Sequence, residues 1–213
     1  MNTDLYVAKY VPIGCRNLSP REIVVRHTAQ DLKIPTDVAI ETAAPDMAAL
    51  IDGPCWLVPV PASDGNLDPN LTLARAIAKL VPSARVKCAI RRTHPVESSA
   101  ELRMRGLPGL TVEQHAIIRT ARPMEVLPAY FVDNVITTGT TMAACRRALG
   151  WGIGLAYADA SRCSCLSRSA TGFDRRTVRD ISQAPLFNER GFAHISFGNA
   201  TYRFSCTRVG FVV

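Results

Sequence analysis

The stretch Phe131-Val132-Asp133-Asn134-Val135-Ile136-Thr137-Thr138-Gly139-Thr140-Thr141 gathers residue types that can grip an anion. An acid and an amide are followed by two apolar residues, then by four threonines around a single glycine. Gly139 permits a tight turn, and successive amides opening a helix, aided by the helix dipole, make an anion site. Threonine hydroxyls add donors suited to phosphate oxygens. Val135 and Ile136 are spaced to anchor the loop in a core. The chemistry this pattern supports is recognition of a phosphate group.

Such a loop needs a strand before it and a helix after it. Ala129–Val132 reads as that strand, and Thr141–Leu149, ended by Gly150, as that helix. Upstream, Trp56–Val60 is a continuous apolar run, the mark of a strand buried on both faces. Asp68-Pro69 supplies a cap and a first-turn proline for a helix with an apolar stripe at Leu73, Ile77, Leu80 and Val81, stopped by Pro82. Arg85–Ile90 and Gly154–Ala158 read as further strands. Near the start, Ser19-Pro20-Arg21-Glu22 forms a capping box, predicting a helix from Pro20 to Leu32 before Pro35. A short helix is expected over Ala43–Ile51, and a hairpin over Ala193–Phe197 and Tyr202–Cys206 around Gly198-Asn199. Strands alternating with helices predict an α/β fold, a doubly wound and mainly parallel sheet flanked by helices. In such sheets ligands bind at the carboxyl ends of the strands, so the loops after Val60, Ile90, Val132 and Ala158 should converge.

The 131–141 pattern resembles the phosphoribosyl pyrophosphate (PRPP) motif of type I phosphoribosyltransferases: four apolar residues, two acids, two apolar residues, then Thr-Gly-x-Thr. The resemblance implies that Asp133 and Asn134 hold the ribose hydroxyls, that Asp133 faces a magnesium ion, and that Thr137, Thr138, Gly139, Thr140 and Thr141 hold the 5′-phosphate. Asn134 stands where the second acid is usual, as in some uracil-using relatives. Thr137 replaces the aspartate that six-oxopurine enzymes use on the base, which disfavours that substrate class. Val58-Pro59-Val60-Pro61-Ala62-Ser63 is similar to the first strand and pyrophosphate loop of the competence-group amidophosphoribosyltransferase-like proteins, with Ala62 and Ser63 as the loop. Arg91-Arg92-Thr93 matches a stretch after their next strand, and Ser98–Arg105 their flexible loop. By that resemblance Arg91, with Arg103 or Arg105, meets the leaving pyrophosphate, and Asp159 faces the acceptor. The resemblance covers roughly Trp56 to Ala158. It implies one domain over 1–213 with a core of about 54–160, and a hood drawn from 1–50 and 166–213. A homodimer is expected on the same ground.

Composition is that of an ordinary globular protein, with 47% hydrophobic and 20% charged residues. No apolar run approaches the roughly 20 residues a membrane helix requires, and the N-terminus lacks an apolar signal core, so a cytoplasmic protein with no membrane partner is expected. Seven scattered cysteines form no disulfide framework, and Cys163-Ser164-Cys165 lacks the second pair that zinc needs. His27, His94, His115 and His194 have no carboxylate at a helpful spacing and read as structural or exposed. Trp151 and Tyr157 read as core. The net charge of +7 suits an anionic partner, either a phosphorylated metabolite or nucleic acid. Two functions follow: a phosphoribosyltransferase (a pentosyl-transferring glycosyltransferase) acting with Mg2+ on an unknown acceptor, or a PRPP-sensing regulator that acts on nucleic acid without catalysis.

Overall fold

A computed structural model describes residues 4–11, 18–98, 101–102, 105–121 and 126–161, together with the backbone of 192–197 and 200–205. The chain divides into two compact units, Met1–Ala170 and Thr171–Val213.

The first unit is built on five parallel strands in the order β1-β7-β6-β2-β3. These are β1 (Leu5–Lys9), β2 (Cys55–Pro59), β3 (Ala84–Val86), β6 (Ala129–Ile136) and β7 (Ile153–Asp159). Every residue of β2 is buried, as its unbroken apolar run requires of a central strand covered on both sides. Its side chains alternate between two cores. Cys55 and Leu57 meet residues of α1 (Pro20–Asp31), α2 (Asp37–Ala48) and α3 (Asp68–Leu80), while Trp56 and Val58 meet residues of α4 (Thr140–Leu149). The helices therefore lie on both faces of the parallel sheet, which is the doubly wound α/β class. A small antiparallel pair, β4 (Ile90–Arg92) with β5 (Ile117–Arg119), adds Ile90 to the α4 side. In the second unit, β8 (Phe192–Phe197) and β9 (Ala200–Ser205) form the expected hairpin. Its turn residues, Cys163 to Cys165 and most of the segment expected as a C-terminal hood lie outside the described residues.

Several expectations need correcting. The first fifty residues are not an accessory hood: they supply an edge strand of the main sheet and two of its covering helices. α2 begins at Asp37 rather than Ala43, because Thr36 caps it by accepting from the Ala39 amide at 3.2 Å. Asp68 is the first helical residue of α3 and not its cap, since Asn66 Oδ1 already accepts from the Asp68 amide at 2.9 Å. The strand expected over Arg85–Ile90 breaks after Val86, and the chain leaves the sheet to form β4. β6 runs four residues past Val132, so Asp133 and Asn134 belong to a strand end instead of a loop.

That extension shapes the site. β2 and β6 stay paired only until the Val60 amide donates to the Val132 carbonyl at 3.0 Å, whereas β6 continues alongside β7 to the Ile136–Asp159 pair. The strand following β2 in the sheet lies on one side of it and β6 on the other. The order thus reverses between β2 and β6, and doubly wound sheets bind their ligands at the carboxyl end of such a switch point. Gly152 fixes the approach to β7. Its φ is +132°, and a Cβ there would sit 2.5 Å from the Phe131 ring, so only glycine admits this packing.

Candidate functional site

Asp133 sits where β6 parts from β2. Its Oδ1 accepts from the Asn134 amide at 2.8 Å and from Asn70 Nδ2 at 3.2 Å. Burial pushes its pKa up to about 6, against the hydrogen bonds and the more distant charges of Arg92 and Lys33, which pull it down. A carboxylate placed here is costly to ionise, a common condition of functional acids.

Two residues around it escaped the sequence analysis. Asn70, 7% exposed in the first turn of α3, also donates to the Val60 carbonyl at 2.8 Å, so one amide group ties β2 to Asp133. Positions 70, 73, 74 and 77 share one helix face and are all buried. A polar residue on that stripe was the available signal. Arg92 is the second. β4 is buried at Ile90, exposed at Arg91 and buried at Arg92. The two-residue period of a strand puts Arg92, not Arg91, on the side of Ile90. Arg92 Nε donates to the Ala62 carbonyl at 2.7 Å, and Nη1 donates to the His115 carbonyl and lies 3.5 Å from His115 Nδ1. Burial lowers its pKa, with Cys145, Asp133 and Asp64 opposing. His115 is buried, and burial together with Arg92 brings its pKa down to about 4, so it is neutral at pH 7.

The threonine loop follows directly. Gly139 adopts φ +78° at the cap position of α4, with open space where a side chain would stand. Thr138 Oγ1 lies 2.8 Å from Thr140 Oγ1 and accepts a long 3.4 Å bond from the Thr140 amide. Among the described residues, the amides of Thr137, Thr138, Gly139 and Thr141 have no partner within the protein. First-turn amides are orphaned in any helix, and here they adjoin hydroxyls and a left-handed glycine.

The remaining candidates divide. Ala62 and Ser63 open the turn that follows β2, closed by the Ala62 amide donating to the Asn66 carbonyl at 2.8 Å and the Gly65 amide to the Ala62 carbonyl at 2.9 Å. Asn134 spends its side chain on the protein: Nδ2 donates to the Ala29 carbonyl at 3.1 Å, and Oδ1 accepts from the Val135 amide at 2.9 Å. Asp159 lies at the rim, at the end of β7, but is buried and paired with Lys9. Burial works to raise its pKa, while Lys9 and the Ser161 amide outweigh it and hold the group below the usual carboxylate range. Arg91 is exposed and donates to the Arg92 carbonyl at 3.3 Å. Arg105 is exposed and pairs with Glu97. Arg103 lies outside the described residues. The stretch expected to be a flexible loop contains a helical turn with a reciprocal cap: Glu101 Oε2 accepts from the Ser98 amide at 2.9 Å, and Ser98 Oγ from the Glu101 amide at 3.2 Å.

A resident metal would need several protein ligands, and no group of three His, Cys, Asp or Glu side chains comes together among the described residues. Asp133 alone fits an ion that keeps most of its waters and arrives on substrate phosphates, as Mg2+ does. Among the described residues no helix is long and apolar enough to cross a membrane.

No protein-family model, curated protein or solved structure matches this chain.

Proposed function

We propose that this chain binds PRPP with Mg2+ and transfers the phosphoribosyl group to an acceptor, releasing pyrophosphate. One observation carries the proposal: amides unpartnered among the described residues and threonine hydroxyls at the start of α4 follow a half-buried carboxylate at the switch point of a parallel sheet. The loop 137–141 donates to the 5′-phosphate. Asp133 accepts from the ribose hydroxyls and offers one oxygen to the metal. Magnesium supplies charge neutralisation and orientation of the departing pyrophosphate. The acceptor's lone pair forms the new bond to the sugar's anomeric carbon as the carbon–oxygen bond to pyrophosphate breaks, its electrons leaving on the oxygen. The chain's task is positioning and charge stabilisation, which needs no histidine base.

A specific observation favours a second reading, PRPP sensing without turnover. The Asn134 amide, expected on the ribose, is committed to Ala29 and Val135. The two readings separate in one experiment. Protein is incubated with PRPP and Mg2+, and pyrophosphate release is followed against a panel of bases and RNA. Release by wild type but not by Asp133→Ala supports transfer. Tight PRPP binding without release on any acceptor supports the sensor, and absence of PRPP binding refutes both.

A further inference from the structure

The small antiparallel ribbon leaves one strand edge uncovered. Among the described residues β5 pairs with β4 alone. The Thr93 amide donates to the Ala116 carbonyl at 2.9 Å and the Thr120 amide to the Ala89 carbonyl at 2.8 Å, with Ile118 opposite Arg91 between them. Backbone directions alternate along such a ladder, so Ala116, Ile118 and Thr120 face β4 while Ile117 and Arg119 turn their amides and carbonyls away. Those outward groups have no partner among the described residues. They border an open groove of about 390 Å3, with Ala116–Arg119 as one wall and α4 as the other. The helix meets it with Ala144, Arg147 and Ala148, neighbours on one helix face. The two alanines leave width that larger side chains would fill.

The groove is held in shape before anything enters it. At one end Thr111 and Gln114 cap each other: the Thr111 amide donates to Gln114 Oε1 at 2.9 Å, and the Gln114 amide to Thr111 Oγ1 at 3.3 Å. Ala116 then takes φ +53°, a left-handed conformation that side chains resist. Bonds from Arg92 and Thr93 to the carbonyls of His115 and Ala116 hold it there. A rigid edge spares a partner the cost of ordering it. Charge then selects the partner. Arg119 is exposed and has no partner among the described residues, and exposed Arg147 pairs with Glu113 on the same rim. Two guanidinium groups against one carboxylate favour acidic side chains. A nucleic acid fits less well, because its phosphates cannot donate to the edge carbonyls and would meet Glu113.

We infer that this groove takes an extended acidic segment of a partner protein, added as a further strand beside β5 with its carboxylates on Arg119 and Arg147. Backbone pairing supplies the affinity, and the alternate side chains that face α4 supply the selectivity. The inference is independent of the PRPP reading.

The test titrates end-blocked peptides into the 15N-labelled full chain, one alternating valine with glutamate and the other valine with lysine. The valine–glutamate peptide should shift the amides of Ile117, Arg119, Ala144, Arg147 and Ala148, and the valine–lysine peptide should leave them in place. Methylating one alternating set of peptide nitrogens should weaken binding by about fivefold or more, while methylating the other set should not. Arg119→Glu breaks no described contact, so it should fold as wild type, bind valine–glutamate about fivefold or more weaker and accept valine–lysine. No shift with either peptide, equal shifts with both, or equal tolerance of the two methylations overturns the inference. Single-stranded DNA that shifts the same amides and displaces the peptide overturns it in favour of a nucleic-acid surface. Shifts of the β5 amides on diluting the protein alone overturn it in favour of a second copy.

Discussion

Replacing Asp133 by asparagine should stabilise the protein at neutral pH while destroying its hold on PRPP. The carboxyl titrates at about 6 in the folded chain against 3.8 for an unperturbed aspartate, burial being the main cause. With the folded value above the unfolded one, the native state holds the proton more tightly between them. Ionisation therefore opposes folding: the penalty is absent below about pH 4, grows through the interval and is complete above about pH 6. Two pH units at roughly 1.36 kcal/mol each set an upper bound of about 3 kcal/mol. Asparagine keeps an oxygen for the Asn70 and Asn134 donors, so the hydrogen bonds survive the exchange. Asp133 retains some contact with solvent, which lowers the expected gain to roughly 1–3 kcal/mol at pH 8. Urea unfolding of both proteins at pH 4, 6 and 8 gives the difference directly, and the other carboxylates cancel in it. A variant less stable than wild type at pH 8, or a difference that ignores pH, would refute the argument. PRPP titration supplies the second arm, where retained affinity would remove Asp133 from the ligand site.

Three further outcomes follow from the geometry. Gly139→Ala forces a side chain into φ +78° where space is open, so it should cost about 1 kcal/mol in thermal unfolding yet clearly weaken ribose 5-phosphate binding. Asn134→Asp removes the donor to the Ala29 carbonyl and should destabilise by about 1–3 kcal/mol in urea; if stability is unchanged while PRPP binding rises, the side chain serves the ligand instead of α1. Gly152→Ala drives a methyl into the Phe131 ring, so a loss of about 3 kcal/mol or more is expected, and near-native stability would mean this packing is wrong.

The sequence showed most clearly what is encoded locally. β2 announces itself by five buried residues in a row, and the loop after β6 by its glycine and threonines, because neither depends on a distant partner. Asn70 and Arg92 were readable too, from helix and strand periods that place a polar group among inward residues, but a motif drew attention to Arg91 instead. Asp159 could not be judged from its surroundings in the chain, since its partner Lys9 lies 150 residues away. The same holds for Asn134, whose amide is claimed by Ala29 across 105 residues. β1 was invisible for this reason: Leu5–Lys9 is short and mixed in character, and only its pairing with β7 makes it a strand.

That pairing has a cost in time. β1 finds its neighbour only after residues 153 to 159 have emerged, so this edge of the sheet closes late. Contacts this remote along the chain slow folding and leave apolar surface unprotected meanwhile. A nascent chain halted before Ile153 carries β1 with nowhere to dock, and the Lys9–Asp159 link then acts as the clasp that marks β7 in place.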